Sequence, residues 1–260
     1  LYDLGSNIGT YFAFFIVLIK PYFEKGGGMR KAVAIMLIIF SSWACIYGQD
    51  KTIGIKGGFT ISNFWGDGAD NLNGQLRSEA PNLDEQNLYW FTVGLFNTRN
   101  LLPDLFSVQT EIIYMRGGKN WEGSIDGEKF SFDVFADYLQ IPWLAKITIP
   151  VLFRPQIYFG PYLSWMFRAR LTDAPDGIAE TIIGEDVAVG EVFERYTNTI
   201  DLGLATGIDF GIPFGPGNIV FDFRYNLGAI NVFNTAPAAS IRNYVFLLMA
   251  GYSIEFASGY

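Results

Sequence analysis

The sequence predicts an all-β protein, an eight-stranded antiparallel up-and-down transmembrane β-barrel preceded by a signal peptide. Three observations predict it. Short runs alternate large apolar residues with small or charged ones, at the period of two that sends successive side chains to opposite faces of a sheet. Half of the 260 residues are hydrophobic and the mean hydropathy is +0.22, yet no run of about twenty apolar residues supplies a membrane-crossing helix. The connections between runs alternate short and long, as in barrels with short periplasmic turns and long external loops.

The run Ile219–Gly228 shows the pattern best. Ile219, Phe221, Phe223, Tyr225 and Leu227 share one face, and Val220, Asp222, Arg224, Asn226 and Gly228 the other. Seven further runs repeat it: Thr52–Phe64, Tyr89–Asn97, Phe106–Arg116, Tyr138–Ile149, Gln156–Arg168, Thr199–Ile212 and Tyr244–Phe256. In Thr199–Ile212, for example, Ile200, Leu202, Leu204, Ile208 and Phe210 oppose Asp201, Gly203, Ala205, Gly207, Asp209 and Gly211. Short connections are expected at 99–104, 150–155 and 213–217, and long ones at 65–88, 117–133, 169–195 and 229–243.

A soluble lipocalin-like ligand-binding barrel also alternates, so alternation alone does not say which face meets lipid. Two features favour lipid on the apolar side. The opposite face mixes Gly, Ala and Ser with charges, which suits a cramped lumen better than a hydrated exterior. Aromatic residues (Trp65, Tyr89, Trp90, Tyr114, Tyr138, Phe167, Tyr196 and Tyr244) gather near the long-loop ends, where amphipathic rings settle at a membrane interface.

Ahead of the barrel, Met29-Arg30-Lys31 and the apolar stretch to Phe40 read as the basic and hydrophobic regions of a signal peptide over 29–48. Residues 1–28 precede that Met and read as translation of upstream sequence, leaving 49–260 as the barrel domain. The one cysteine, Cys45, falls in the leader, and the chain has no histidine. Disulfides, thiolate nucleophiles, thiolate zinc sites and histidine-based acid–base chemistry are therefore not expected. No cofactor, metal site or catalytic residue is assigned, and the protein is read as non-enzymatic.

The expected lumen charges are Lys56, Lys146, Arg168 and Arg224 against Glu111, Asp201, Asp209, Asp222 and Glu255. A network of ion pairs that satisfies buried charge is the plainer reading. A carboxylate-based active site or proton path is the sharper one, and no spacing sets a nucleophile beside a base. From residue 50 onward there are 24 acidic and 14 basic residues. The four long connections hold 16 of the acidic and 6 of the basic ones, so the barrel body is neutral and the whole surplus is external. The loop after the fifth strand concentrates it in Asp173, Asp176, Glu180, Glu185, Asp186, Glu191 and Glu194. Such a face keeps loops hydrated and apart. It also suits divalent-cation bridging to lipopolysaccharide or docking of a basic protein partner, and its sign disfavours nucleic acid.

Several segments carry a family resemblance. Gly54-Ile55-Lys56-Gly57-Gly58-Phe59-Thr60-Ile61-Ser62-Asn63-Phe64 resembles the first strand of the PorT-like outer-membrane β-barrel proteins of Gram-negative bacteria. Tyr138-Leu139-Gln140-Ile141-Pro142-Trp143-Leu144-Ala145-Lys146, Gly160-Pro161-Tyr162-Leu163, Arg224-Tyr225-Asn226-Leu227-Gly228 and Gly251-Tyr252-Ser253-Ile254-Glu255-Phe256 continue the series. The resemblance implies a small barrel in the cell outer membrane, in contact with its lipids and lipopolysaccharide. The family usually has Glu where Gln140 stands. The functional expectation is a structural, adhesion or partner-docking protein with acidic external loops and a side-chain-filled lumen. The alternative is a narrow channel or small-molecule transport across the outer membrane.

Overall fold

The computed structural model describes residues 51–79, 82–102, 104–125, 128–151, 153–173, 182, 196–233 and 240–256. The segments 1–28 and 29–48 lie outside them. The elements in chain order are β1 (Lys51–Trp65), α1 (Asp67–Glu79), β2 (Asp84–Leu102), β3 (Phe106–Ile125), β4 (Glu128–Thr148), β5 (Gln156–Thr172), β6 (Ile200–Phe214), β7 (Gly217–Gly228) and β8 (Arg242–Phe256). Every strand is antiparallel to its sequence neighbours. β8 returns to β1 in a continuous register from Lys51↔Phe256 to Trp65↔Arg242, which closes the barrel and leaves no free edge. Among the described residues no helix is long and apolar enough to cross a membrane.

The outward face is apolar. Ile53, Ile55, Phe59, Val93, Leu95, Phe159, Leu202, Leu204, Phe223 and Leu248 are all exposed there, while the charged residues of β6 and β7 point inward and are buried. A soluble barrel would need the reverse, because burial of apolar surface is what drives its folding. The soluble reading is thereby excluded. Tyr138 and Tyr196 depart from the expected interfacial ring: both are buried, and Tyr138 accepts a hydrogen bond from the Asn243 side chain at 3.0 Å.

β3 and β4 run well past the expected boundaries. The connection expected at 117–133 is mostly strand, with pairing that continues to Ile125↔Glu128. The physical reason is a second hydrophobic core above the barrel, which inward side chains of the extension help to fill. Trp121 and Phe132 stack there at 5.1 Å, next to Phe64 and Leu171. The helix α1 covers this core, within the stretch expected as the long connection 65–88. Its residues Ala69, Leu72 and Leu76 recur at helical spacing and are buried in it. Asp67 and Asp70 in its first turn and Arg77 in its last suit the helix dipole. Asn73 pins it from below: its side-chain oxygen accepts from Trp121 Nε1 and Lys119 Nζ, each at 3.2 Å, and its nitrogen donates to Glu85 at 2.7 Å.

The glycines of β6 have a specific packing role. Gly203 stands directly opposite Tyr162, and Gly207 opposite Tyr158. A Cβ at either position would sit 2.4 Å from the tyrosine hydroxyl, so each glycine makes room for a tyrosine to lie across the lumen. The Gly207→Val variant is therefore expected to lose the folded barrel, seen as loss of the mobility difference between unboiled and boiled samples on a gel. Normal heat-dependent mobility would show that the lumen can yield at this point.

Candidate functional site: the charged lumen

The middle of the lumen is held by six charges from five strands: Lys56 (β1), Glu111 (β3), Lys146 (β4), Asp209 (β6), and Asp222 and Arg224 (β7). All are buried. Lys56 Nζ lies 2.7 Å from Glu111 and 2.5 Å from Asp222. Arg224 clamps Glu111 with two parallel bonds, at 2.9 Å and 2.8 Å, and reaches Asp222 at 2.9 Å. This fork is the strong bidentate geometry of a guanidinium on a carboxylate. Lys146 pairs with Asp209 at 2.5 Å and donates to Gln109 at 2.8 Å. Gln109 in turn donates to Glu111, joining both parts of the network. Tyr158 spans the gap, donating to Asp222 and accepting from Arg224 Nε at 3.1 Å.

Three cations thus meet three anions, and the buried network is neutral. Such balance is required, because a single uncompensated charge in this setting costs several kcal/mol. One layer above, Asn226 donates to Gln140 at 2.8 Å and Gln140 donates to Ser164 at 3.0 Å. Gln140 therefore serves as a neutral link in a polar layer. Apolar side chains run alongside these layers, with Leu247 paired with Arg224, Val245 with Asn226 and Ile113 with Gln140, and Met115 and Met166 lead on into the hydrophobic core capped by α1. Below the network, on the short-turn side, the lumen opens into a cavity of about 620 Å³ whose wall includes Lys146, Asp209, Gln109, Thr98 and Thr148.

Three of the nine expected lumen charges stand elsewhere. Asp201 is buried one layer higher and accepts from the Tyr162 hydroxyl at 3.1 Å. Glu255 is exposed at the cavity mouth and accepts from Asn218 at 3.1 Å, because β8 has reached the rim there. Arg168 is on the outer wall. Met166 pairs with Tyr138 but Arg168 with Asp137, so one extra residue, Phe167, bulges in β5 and reverses the alternation beyond it. Of the acidic loop, Asp173 is exposed, and Asp176, Glu180, Glu185, Asp186, Glu191 and Glu194 lie outside the described residues. Among the described residues no three acidic side chains gather as metal ligands.

The sequence reading also missed Tyr158 and an ion triplet on the outer wall. Asp137 receives Arg116 Nε at 2.7 Å, Arg168 at 2.7 Å and the Tyr114 hydroxyl at 3.0 Å. Strict alternation already sent Arg116 to the face of Tyr114, but the expected fourth strand began at Tyr138, one residue past Asp137.

An apolar exterior around a neutral polar lumen, in a closed ring of eight strands, is the construction of a barrel that folds in lipid. Residues 48–234 match the family model described as an outer membrane protein beta-barrel domain. The chain belongs to that family. As a member of the outer membrane beta-barrel domain family it resides in the outer membrane, and its apolar wall contacts the lipids there. Similar solved structures include Ail, the attachment invasion locus protein of Yersinia pestis, at 15% identity over 79% of this chain and 99% of that one, with a TM-score of 0.39. OprG of Pseudomonas aeruginosa is 15% identical over 81% and 98%, with a TM-score of 0.44. The Neisserial surface protein A is 14% identical over 78% and 97%, with a TM-score of 0.38. No curated protein matches the sequence.

The network makes a stability prediction for this family member. Glu111→Gln leaves one cation in excess and is expected to cost about 3–5 kcal/mol in urea unfolding from detergent micelles. Adding Lys56→Gln restores neutrality, so the double variant should lose clearly less than the sum of the two single losses. Strict additivity would mean that the two charges do not act as a pair.

Proposed function

We propose that this outer-membrane barrel is a closed, non-enzymatic protein that acts through its long-loop face, in structure, adhesion or partner docking. The observation that carries the reading is the filled lumen. Lys56, Glu111, Asp222 and Arg224 are each no more than 2% exposed, and the polar layer and capped hydrophobic core lie in series above them. An ion crossing the barrel would have to break a neutral network whose members satisfy one another. Acidic external loops then become the surface open to partners, suited to a basic protein or to divalent-cation bridging with lipopolysaccharide. Within the wider family, the first-strand run Gly54–Phe64 and the Gly251–Phe256 ending support a PorT-like placement.

A channel or small-molecule transport role has one observation in its favour, the cavity of about 620 Å³ at the short-turn end. In outer-membrane barrels that end faces the periplasm. Its upper boundary is the ion network, so the cavity supports a blind vestibule in preference to a through-path. Planar-bilayer recording on the folded full chain separates the two readings. The expected result is no stable conductance at moderate voltage; a reproducible ion-selective conductance would overturn the closed-barrel proposal.

A further inference from the structure

The ion triplet on the outer wall does not belong to the lumen, and its placement is unusual. Positions facing outward below it on β3, β4 and β5 carry no charge: Phe106, Val108, Thr110, Ile112 and Tyr114 on β3, for example. Arg116 then stands ten residues above Phe106, where β3 begins. A tilted strand needs about ten residues to cross the hydrocarbon, so Arg116 sits at the upper rim of the apolar band. Asp137 and Arg168 share that level through their pairings with Arg116 and with each other.

The site is built rather than incidental. The Arg116 guanidinium is sandwiched between the rings of Trp90 at 3.6 Å and Phe135 at 3.7 Å. Its Nε and one terminal nitrogen are held by Asp137, and Trp90 Nε1 donates to the Tyr114 hydroxyl at 3.1 Å. Asp137 itself is wholly buried beneath this assembly, whereas the Arg168 side chain is 42% exposed. Beyond the β5 bulge, Arg170 takes the next outward position, opposite Phe135, and is exposed with no ion pair among the described residues. Arg116 and Arg168 therefore share the one carboxylate of Asp137, and Arg170 adds a third positive charge on the same face. Asp133, the next outward acid up β4, is engaged by the Asn120 side chain at 2.6 Å, and Asp173 opens the loop above.

We propose that Arg168 and Arg170, backed by the fixed Arg116–Asp137 pair, form a binding site for the phosphate of a phosphorylated glycolipid headgroup in the outer leaflet. The surplus positive charge faces lipid at headgroup depth, next to exposed aromatic side chains that suit the sugar and upper acyl region. Guanidinium forks match phosphate oxygens in pairs. Asp137 orients Arg168 while leaving part of its fork open. The site is separate from the acidic loops, whose contact with lipopolysaccharide would need a divalent cation.

The test uses the full chain folded in octyl glucoside with a chelator present, which removes any cation bridge through the loops. Bis-phosphorylated lipid A, the same lipid without phosphates, and inorganic phosphate are titrated and followed by native mass spectrometry. The phosphorylated lipid is expected to bind, and the Arg168→Gln, Arg170→Gln pair to weaken it at least about tenfold. Folding of the variant is checked by its heat-dependent gel mobility. If it does not fold, the native protein still decides, since binding should weaken as salt is raised. Equal binding of the dephosphorylated lipid, an unchanged affinity in the folded double variant, or insensitivity to salt would overturn the proposal. Inorganic phosphate that competes as strongly as the lipid would also overturn it, by making the site one for free anions.

Discussion

The pairing of Arg224 with Glu111 and Asp222 is the interaction on which the rest of the lumen depends. A small barrel in lipid has most of its apolar surface outside, so the buried apolar side chains inside it, such as Leu144, Leu247 and Met249, share the lumen with polar groups. Those polar groups must satisfy one another, since each unpaired one is expensive. Arg224 fits this task because its planar fork can hold one carboxylate bidentately and still reach a second. Lys56 then completes the balance from β1, two strands away, and Tyr158 and Gln109 occupy the gaps that charges alone would leave. The glycines facing Tyr158 and Tyr162 follow from the same constraint, because a narrow barrel holds a tyrosine across its lumen only where the facing strand carries no side chain.

Above the membrane the constraint reverses. There water surrounds the strands, and β3 and β4 continue because their inward faces can again bury apolar residues. Trp121, Phe132 and Phe64 form a core of the ordinary water-soluble kind, closed by α1. The molecule therefore joins, in one continuous sheet, a lumen organised by ion pairs among buried apolar side chains and a hydrophobic cap that continues above it. Asn73 and Lys119 mark the change, with polar atoms inside the cap that are tied to Glu85.

Most of the barrel was legible because alternation is strict wherever one face must meet lipid. Ile219–Gly228 and Thr199–Ile212 show this: from Ile200 on, each outward position but Thr206 is large and apolar, and each inward one but Val220 is small or polar. The ends were harder. At 117–133 the residues no longer report a lipid face, so Gly117, Gly118 and the charges there read as loop, although their partners across the hairpin hold them in strand. Arg168 was misplaced for a different reason: a bulge is a single extra residue, and nothing in Trp165–Arg170 says which residue is the extra one. Its cause is the tertiary pairing of Arg168 with Asp137, a contact between strands that no local pattern encodes. Gln109 and Tyr158 were visible as inward positions, but their linking roles depend on distances across the barrel.

The charge distribution along the barrel axis follows from these two regimes. Inside the membrane the central ion network is charge-balanced, as a low-dielectric setting requires. In the proposed reading, the long connections face outward and carry the acidic surplus of the chain, where water tolerates it. Between them lies a narrow level at which outward side chains leave hydrocarbon but still face lipid, and there the wall turns basic at Arg116, Arg168 and Arg170. A β5 without its bulge would turn Arg168 and Arg170 into the lumen above Met166, and Ala169 out toward lipid. The extra residue thus does two things at once: it keeps surplus charge out of the barrel and places it at the depth of phosphate headgroups. That coincidence ties the outer-wall arginines to the same requirement of charge balance that organises Glu111, Asp222 and Arg224 inside.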